Sequence, residues 1–353
     1  MSNEADRKFV APGVAHVVVR DVGAPVTVTF ALMPRFTLLA FTSAIEPLRV
    51  ANQLAGKELF RWAVVSSDGA PVTSSCGLPV VPDGGLTRDI DTDHLLVCGG
   101  VEPESGLWPG LADSVRTQWR RGRVVGGLCT GAYALARAGI LKGRRFTLHW
   151  ENIAGFREVF PDLDPIRRVF CVEDRIQTCA GGVASADLML TLIEAQYGAQ
   201  LGQEVMNMCL MNRRRFGGED QMISLAARLG TRSERVVKAV AYMEKHIEDG
   251  IDMEECAARA GITRRQLERL FADHLGTSPR QYLNDLRLQH GRALLTETNM
   301  TVLDVAIACG YVSSSHFAKS FRRKFGVTPY QFSHFGSGRA VPRTNSVEGG
   351  YGR

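Results

Sequence analysis

Cys129 lies in Val124-Val-Gly-Gly-Leu-Cys-Thr-Gly-Ala132, where an apolar strand runs through a small-residue turn straight into a helix. A turn of that kind holds its central side chain at a helix amino terminus, where the dipole favours thiolate, and this is the geometry of an elbow-borne nucleophile. A cysteine nucleophile also needs a base within reach and a third group to hold the base. His149, in Phe146-Thr-Leu-His-Trp150, follows shortly after the elbow helix, and Glu46 falls on the first helix of the chain. A second strand, Leu95-Leu-Val-Cys-Gly-Gly100, runs into Gly99 and Gly100, whose bare backbone would let amides approach an anionic or carbonyl group. The candidate ligand-binding set is therefore Glu46, Gly99, Gly100, Cys129, Thr130, His149 and Trp150. Glu46 with Trp108 or Trp150 would make an anionic, aromatic site for a cation. The plainer alternative is that Cys129 is a small pocket residue and His149 a satisfied polar one.

A different chemistry, recognition of bases and phosphates, is written twice between Ile251 and Phe335. The two copies are offset by about fifty residues, and an internal repeat of this kind marks a duplicated supersecondary unit. Leu267, Phe271 and Leu275 fall on Phe317, Phe321 and Phe325, while Gly276, Pro279 and Gln281 fall on Gly326, Pro329 and Gln331. Gly261 and Gly310 each end a short helix where a left-handed residue is wanted. The helix that follows is a candidate recognition helix. Its polar positions are Arg264, Arg265, Gln266, Glu268 and Arg269 in the first copy. In the second they are Ser313, Ser314, Ser315, His316 and Lys319, followed by Arg322, Arg323 and Lys324. Arg and Gln read guanine and adenine edges, Ser is permissive, and the later cations suit phosphates. Two amphipathic helix pairs with solvated charged faces are the bland alternative, which the phased repeat disfavours.

The elements that must position these residues follow from periodicity. Apolar runs at 26–33, 62–66, 95–98 and 124–128 alternate with helical stretches at 36–55, 111–121 and 130–138, the signature of an α/β layer with a mainly parallel sheet. Ligands of such sheets bind beyond the carboxyl ends of the strands. The domains expected are a loose arm at 1–24, an α/β ligand-sensing domain at 25–212, a linker at 213–232, an all-α head at 233–335 and a disordered tail at 336–353. Asn212-Arg-Arg-Arg-Phe-Gly-Gly-Glu-Asp220 reads as a solvated hinge, Ser233 as the cap of the first head helix, and 279–295 as the helix connecting the two repeats. With 353 residues, 45% hydrophobic and 22% charged, the chain is long enough for two or three globular domains. The net charge of +5 is too modest to argue for nucleic acid, so the repeat carries that claim. The eight cysteines lack zinc-site spacing, so no metal or cofactor is expected. Neither a secretory core nor a membrane-length run is present, so the expected place is a reducing cytoplasm, with no membrane partner.

The block from Ser233 to Phe335, above all Ala308-Cys-Gly-Tyr-Val-Ser-Ser-Ser-His-Phe-Ala-Lys-Ser-Phe-Arg-Arg-Lys-Phe-Gly-Val-Thr-Pro329, resembles the DNA-binding domain of the AraC/XylS transcription regulators. The resemblance implies a monomeric head whose two recognition helices enter successive major grooves. Gly291 stands where the family usually has Ala, at a cost of about 1 kcal/mol in helix propensity, and Phe332-Ser333 replaces the usual Tyr-Arg, so Ser333 stands where the resemblance implies a phosphate contact. The region from Val26 to Gly198 resembles the ThiJ/PfpI, class I glutamine amidotransferase-like proteins, through Glu46, the Gly-Gly strand end, Gly-Leu-Cys-Thr-Gly-Ala, His149-Trp150 and Thr178-Cys-Ala-Gly-Gly182. Together the two match the architecture of the GlxA-type regulators. The implied fold is a flavodoxin-like α/β domain followed by an all-α domain with two helix-turn-helix motifs. In enzymes of the first fold an acidic residue on the first helix hydrogen-bonds the elbow Cys, which carries over to Glu46 and Cys129. Thr130 replaces the His that usually follows that Cys in hydrolases, which weakens peptidase or amidase chemistry. The expectation is a homodimeric activator of a catabolic operon, with operator DNA and RNA polymerase as partners and an amine, betaine or amino acid as effector. The alternatives are a Cys129-dependent hydratase or hydrolase, or a thiol redox sensor, tethered to DNA.

Overall fold

Apolar runs bounded by Gly, Pro and Asp become the strands of one sheet. This computed structural model describes residues 9–10, 13–20, 22–104, 106–221 and 225–335, and the chain divides into two units, Met1–Ser224 and Leu225–Arg353. In chain order the first unit contains β1 (Val26–Leu32), α1 (Leu38–Ala55), β2 (Phe60–Ser66), three short strands β3 (Val72–Thr73), β4 (Pro79–Val80) and β5 (Gly84–Gly85), β6 (His94–Cys98), α2 (Leu111–Arg120), β7 (Val124–Leu128), α3 (Ala132–Arg137), α4 (Ile153–Val159), β8 (Phe170–Glu173), β9 (Ile176–Cys179), α5 (Ala184–Tyr197) and α6 (Ala199–Met208). The seven-stranded sheet runs β5-β2-β1-β6-β7-β9-β8 and is parallel except for the β8–β9 pair.

The sheet is buried on both sides, which is why β6 reads as a continuous apolar run rather than an alternation. From β1 the chain crosses towards β2, and from β6 it crosses the other way to β7, so right-handed crossovers send the following helices to opposite faces. Leu48, Leu54, Leu188, Ile193 and Leu201 of α1, α5 and α6 pack on one face. Leu111, Val115, Tyr133, Leu135 and Phe156 of α2, α3 and α4 pack on the other.

Two boundaries differ from expectation. Within the arm, Val17 and Val19 are buried against α1, the Val17 amide donates to the Leu54 carbonyl (2.8 Å), and Lys57 Nζ donates to the Val19 carbonyl (3.1 Å). Val18 between them is exposed, so the apolar stretch at 17–19, which could have paired at a sheet edge within an otherwise loose arm, docks with period 2 against the end of α1 instead. The first half of the linker also belongs to the first unit. Residues 219–221 pair beside the segment entering β8, through Val169 N to Glu219 O (3.0 Å) and Gln221 N to Arg167 O (3.3 Å). Arg215 is clamped on Asp187 of α5.

The second unit is helical: α7 (Leu225–Arg228), α8 (Glu234–Lys245), α9 (Met253–Arg259), α10 (Arg264–Leu275), α11 (Pro279–Glu297), α12 (Val302–Ala308), α13 (Ser314–Phe325) and α14 (Pro329–Phe335). Val236, Val240, Met243, Cys256, Leu267 and Phe271 form a core around the first repeat. Ser233 precedes α8 as expected, but its side chain makes no capping bond. The tail expected at 336–353 lies outside the described residues.

Candidate functional site

Cys129 takes a left-handed backbone (φ 58°) although it is not glycine, and strain of this kind persists where the surroundings fix a side chain in one place. Its amide donates to the Cys179 carbonyl (3.1 Å), and its own carbonyl accepts from the His149 amide (3.3 Å). Gly181 makes room for it, since a Cβ there would stand 2.6 Å from Cys129 Cβ. The hydroxyl of Thr37, at the start of α1, donates to Cys129 Sγ at 3.5 Å. The side chain is only 6% exposed. Burial pushes its thiol up to about 11, against the opposing pull of the Thr37 hydroxyl. The loss of water outweighs the hydrogen bonds from the Thr37 hydroxyl and the Thr130 backbone that favour thiolate, so the elbow carries a neutral thiol where a thiolate was expected.

Of the other expected residues, His149 and Trp150 stand beside the turn. His149 is half-buried, and burial pulls its imidazole below the ordinary value while the Glu151 carboxylate opposes that shift. Its ring stacks obliquely on Trp150, centroids 5.5 Å apart, and Trp150 is 46% exposed. Glu46 does not join them. Its carboxylate is exposed and accepts from Arg49 Nε (2.7 Å). Thr37, the extended residue just before α1, supplies the contact to sulfur, whereas position 46 falls on the exposed face of the helix. Trp108 packs with the α2–α4 core, so the expected cage of Glu46 with a tryptophan is not assembled. The carboxylate next to Trp150 is Glu151.

Gly99, Gly100 and Thr130 hold the turn together rather than line its mouth. The Gly99 amide donates to the Leu128 carbonyl (3.1 Å), and a Cβ on Gly99 would stand 2.5 Å from Thr130 Oγ1. Thr130 is wholly buried, with its hydroxyl donating to the Gly100 carbonyl (2.7 Å). A Cβ on Gly100 would stand 2.1 Å from the Arg35 carbonyl oxygen. Their smallness serves close packing, and the Gly99 amide is already used. Sequence reasoning missed Thr37, and also Arg35 and Glu102, which are both left-handed (φ 56° and 54°) and ion-paired to each other. Neither residue type announces such a backbone, so no sequence signal marked them.

In the second unit the repeat is physical as well as textual. Gly261 (φ 69°) and Gly310 (φ 70°) turn the chain, and twelve-residue helices α10 and α13 follow. Both end on left-handed glycines, Gly276 and Gly326. Ser278 and Thr328 then cap the next helices by accepting from the Gln281 and Gln331 amides (3.3 and 3.2 Å). Leu267 and Phe271 of α10, and Phe317 and Phe321 of α13, are fully buried. The opposite faces expose Arg265, Gln266 and Arg269 on α10, and Ser315, His316, Lys319, Arg322 and Arg323 on α13. Arg264, Glu268 and Ser314 are half-buried, and Arg264 Nη1 lies 3.6 Å from Glu254. Gln266 also serves the fold. Its Oε1 accepts from the Thr263 amide (2.9 Å) in a capping box, so reading adenine through two bonds requires breaking that cap. Lys324 Nζ is held by Asp285 of α11 (2.7 Å) and does not extend freely towards phosphate.

Residues 256–334 match the model of a helix-turn-helix domain family, and residues 27–195 match that of the DJ-1/PfpI family. Among curated proteins the chain is 40% identical to the HTH-type transcriptional regulator GbdR of Pseudomonas aeruginosa over 86% of this chain and 83% of that protein. It is 42% identical to the HTH-type transcriptional regulator CdhR of the same species, over 86% of this chain and 90% of that one. Among solved structures it is 30% identical to an AraC family transcriptional regulator from Pseudomonas putida, which covers 52% of this chain and 100% of its own, with a TM-score of 0.49.

Proposed function

The chain belongs to the AraC-family helix-turn-helix DNA-binding transcriptional regulators that carry a DJ-1/PfpI amino-terminal domain, and from that premise we propose that it activates a catabolic operon in response to a small amine, betaine or amino acid held beside Cys129, His149 and Trp150. It acts in the cytoplasm as a homodimer, presents two heads to adjacent operator half-sites and contacts RNA polymerase. The observation that supports the effector half is Trp150, 46% exposed at the carboxyl ends of the strands and followed directly by the exposed Glu151. An aromatic face with a neighbouring carboxylate attracts a cation. The DNA half is supported by the cationic faces of α10 and α13, helices that both end on a left-handed glycine. A Cys129-centred hydratase or hydrolase gains no support from a thiol that burial keeps neutral.

The experiment is a thermal-shift screen of the full-length protein against amines, betaines and amino acids, followed by binding to DNA selected from a random pool. A ligand at about 100 times its Kd raises stability by about 2.7 kcal/mol, and Trp150→Ala should abolish that gain. The ligand should also change affinity for the selected DNA or the recruitment of polymerase, since it shifts only states it binds unequally. Stabilisation that survives Trp150→Ala would place the effector elsewhere. A protein that selects no sequence above bulk DNA would end the operator reading.

A further inference from the structure

The sheet reverses its winding between β1 and β6, and their following loops diverge to opposite faces. Such a switch point is where open α/β sheets take ligands. Two side chains span it: Arg35, in the loop after β1, is ion-paired with Glu102, in the loop after β6, and the two are 50% and 30% exposed. Among the described residues five non-glycines are left-handed, and three of them, Arg35, Glu102 and Cys129, stand at the ends of the adjacent strands β1, β6 and β7. The surroundings enforce the first two. The Arg35 amide donates to the Thr73 carbonyl (2.9 Å), the Arg35 carbonyl fills the space a Gly100 side chain would need, and the Glu102 carbonyl accepts from the Gly106 amide (3.2 Å). Glycine would adopt both turns without strain. Arginine and glutamate held there instead point to a use for their side chains.

We infer that Arg35 is the anchor for a carboxylate carried by the effector, and that Glu102 occupies it until that carboxylate arrives. A guanidinium receives a carboxylate through two parallel hydrogen bonds, and an exposed ion pair is weak enough to exchange for a ligand. Strand order sets the polarity of the ligand. Arg35 and Glu102 lie on the β6 side of the elbow, whereas His149–Glu151 lie on the β9 side, where the Thr147 amide donates to Thr178 Oγ1 (2.9 Å). A zwitterion fits this arrangement, with its acid end at Arg35 and its cation at Trp150 and Glu151. The inference rests on the sensor reading above and narrows its ligand class.

The test is calorimetric titration of the full-length protein with two matched pairs: glycine betaine with tetramethylammonium, and arginine with agmatine. Each pair differs by one carboxylate. At least one zwitterion should bind about tenfold or more tightly than its decarboxylated partner. Arg35→Gln should erase that difference. Glu102→Gln should tighten the zwitterion a few-fold and leave the decarboxylated compound unchanged. Arg35→Gly separates site from fold, because it relaxes the backbone yet should lose the same carboxylate preference. A preference that survives both Arg35 variants, or equal affinity within each pair, overturns the carboxylate anchor and leaves the sensor reading standing. Weakening on Glu102→Gln overturns its role as stand-in. If none of the four binds, a zwitterion that stabilises the protein in the screen above takes their place beside its decarboxylated partner, and no stabilisation across that screen overturns both readings.

Discussion

A thiol that has lost its water titrates late, and two cysteines of this chain sit on opposite sides of that rule. Burial pushes the Cys129 thiol up to about 11, whereas Cys76 is exposed and the Ser74 hydroxyl, 3.3 Å from its sulfur, holds its thiol below the ordinary value. Thiolate is the reacting form, so below its pKa the Cys129 rate should rise about tenfold per pH unit, with no plateau between about pH 7 and 9. Alkylation read by peptide mass spectrometry should therefore label Cys76 first at neutral pH. A Cys129 rate that levels off below about pH 8 would mean a thiolate elbow and would revive the catalytic and redox readings. The turn itself was legible, because strand, small residues and helix appear in order around Cys129. The sign of its titration was not. Sequence displays the helix terminus that favours thiolate but not the packing of Gly181 and Thr37 that shuts water out. Glu46 failed for a related reason, since residue type placed it on the right helix and only the helical phase decides its face.

At the scale of elements, the repeat was legible because capping and core chemistry are local: Gly261 and Gly310, Gly276 and Gly326, Ser278 and Thr328 each act within a turn of where they stand. What the exposed faces do follows from which cations remain free to reach DNA. Arg269→Ala should relax base discrimination by about 1–3 kcal/mol, whereas Arg323→Ala should weaken binding on all sequences and lower the salt slope by about one. Uniform loss in both variants would mean that α10 does not present the reading face. Gly291 reverses the expectation drawn from propensity. Ala there would gain about 1 kcal/mol in an isolated helix. Its methyl would stand 2.8 Å from Phe317 Cε2 and 3.1 Å from Cys309 Sγ, both fully buried. Overpacking of that kind costs about 1–3 kcal/mol, so Gly291→Ala should destabilise the head on balance. Urea unfolding followed by far-ultraviolet circular dichroism decides the sign, and a gain in stability would show that the Phe317 ring yields.

Across the whole molecule the question is where the first unit stops. The run Arg213-Arg214-Arg215 looks like solvated hinge because sequence shows its charge and not what faces it. Asp187 faces it: that carboxylate is 1% exposed, accepts from Arg215 Nε (2.9 Å) and from the Arg215 amide (3.0 Å), and would be a buried charge without them. Arg214 is likewise held by Glu194 and Thr191 of α5, while Arg213 is 69% exposed. Gln221 then donates to Thr147 Oγ1 (2.9 Å) and to the Leu148 carbonyl (2.8 Å), one residue before His149. The segment leading to the second unit is thus bonded beside the proposed effector site. The four tryptophans, Trp62, Trp108, Trp119 and Trp150, all fall in the first unit, so fluorescence follows that unit inside the intact chain. Breaking a buried ion pair by removing one partner costs about 3–5 kcal/mol, and the remaining amide contact puts Arg215→Ala near the lower end, about 3 kcal/mol. Arg213→Ala, at an exposed position of the same run, should stay within about 0.5 kcal/mol. Denaturant unfolding of both variants, read by tryptophan emission, separates the two arginines. Equal and small effects would make the run a linker after all and move the end of the first domain back to residue 212.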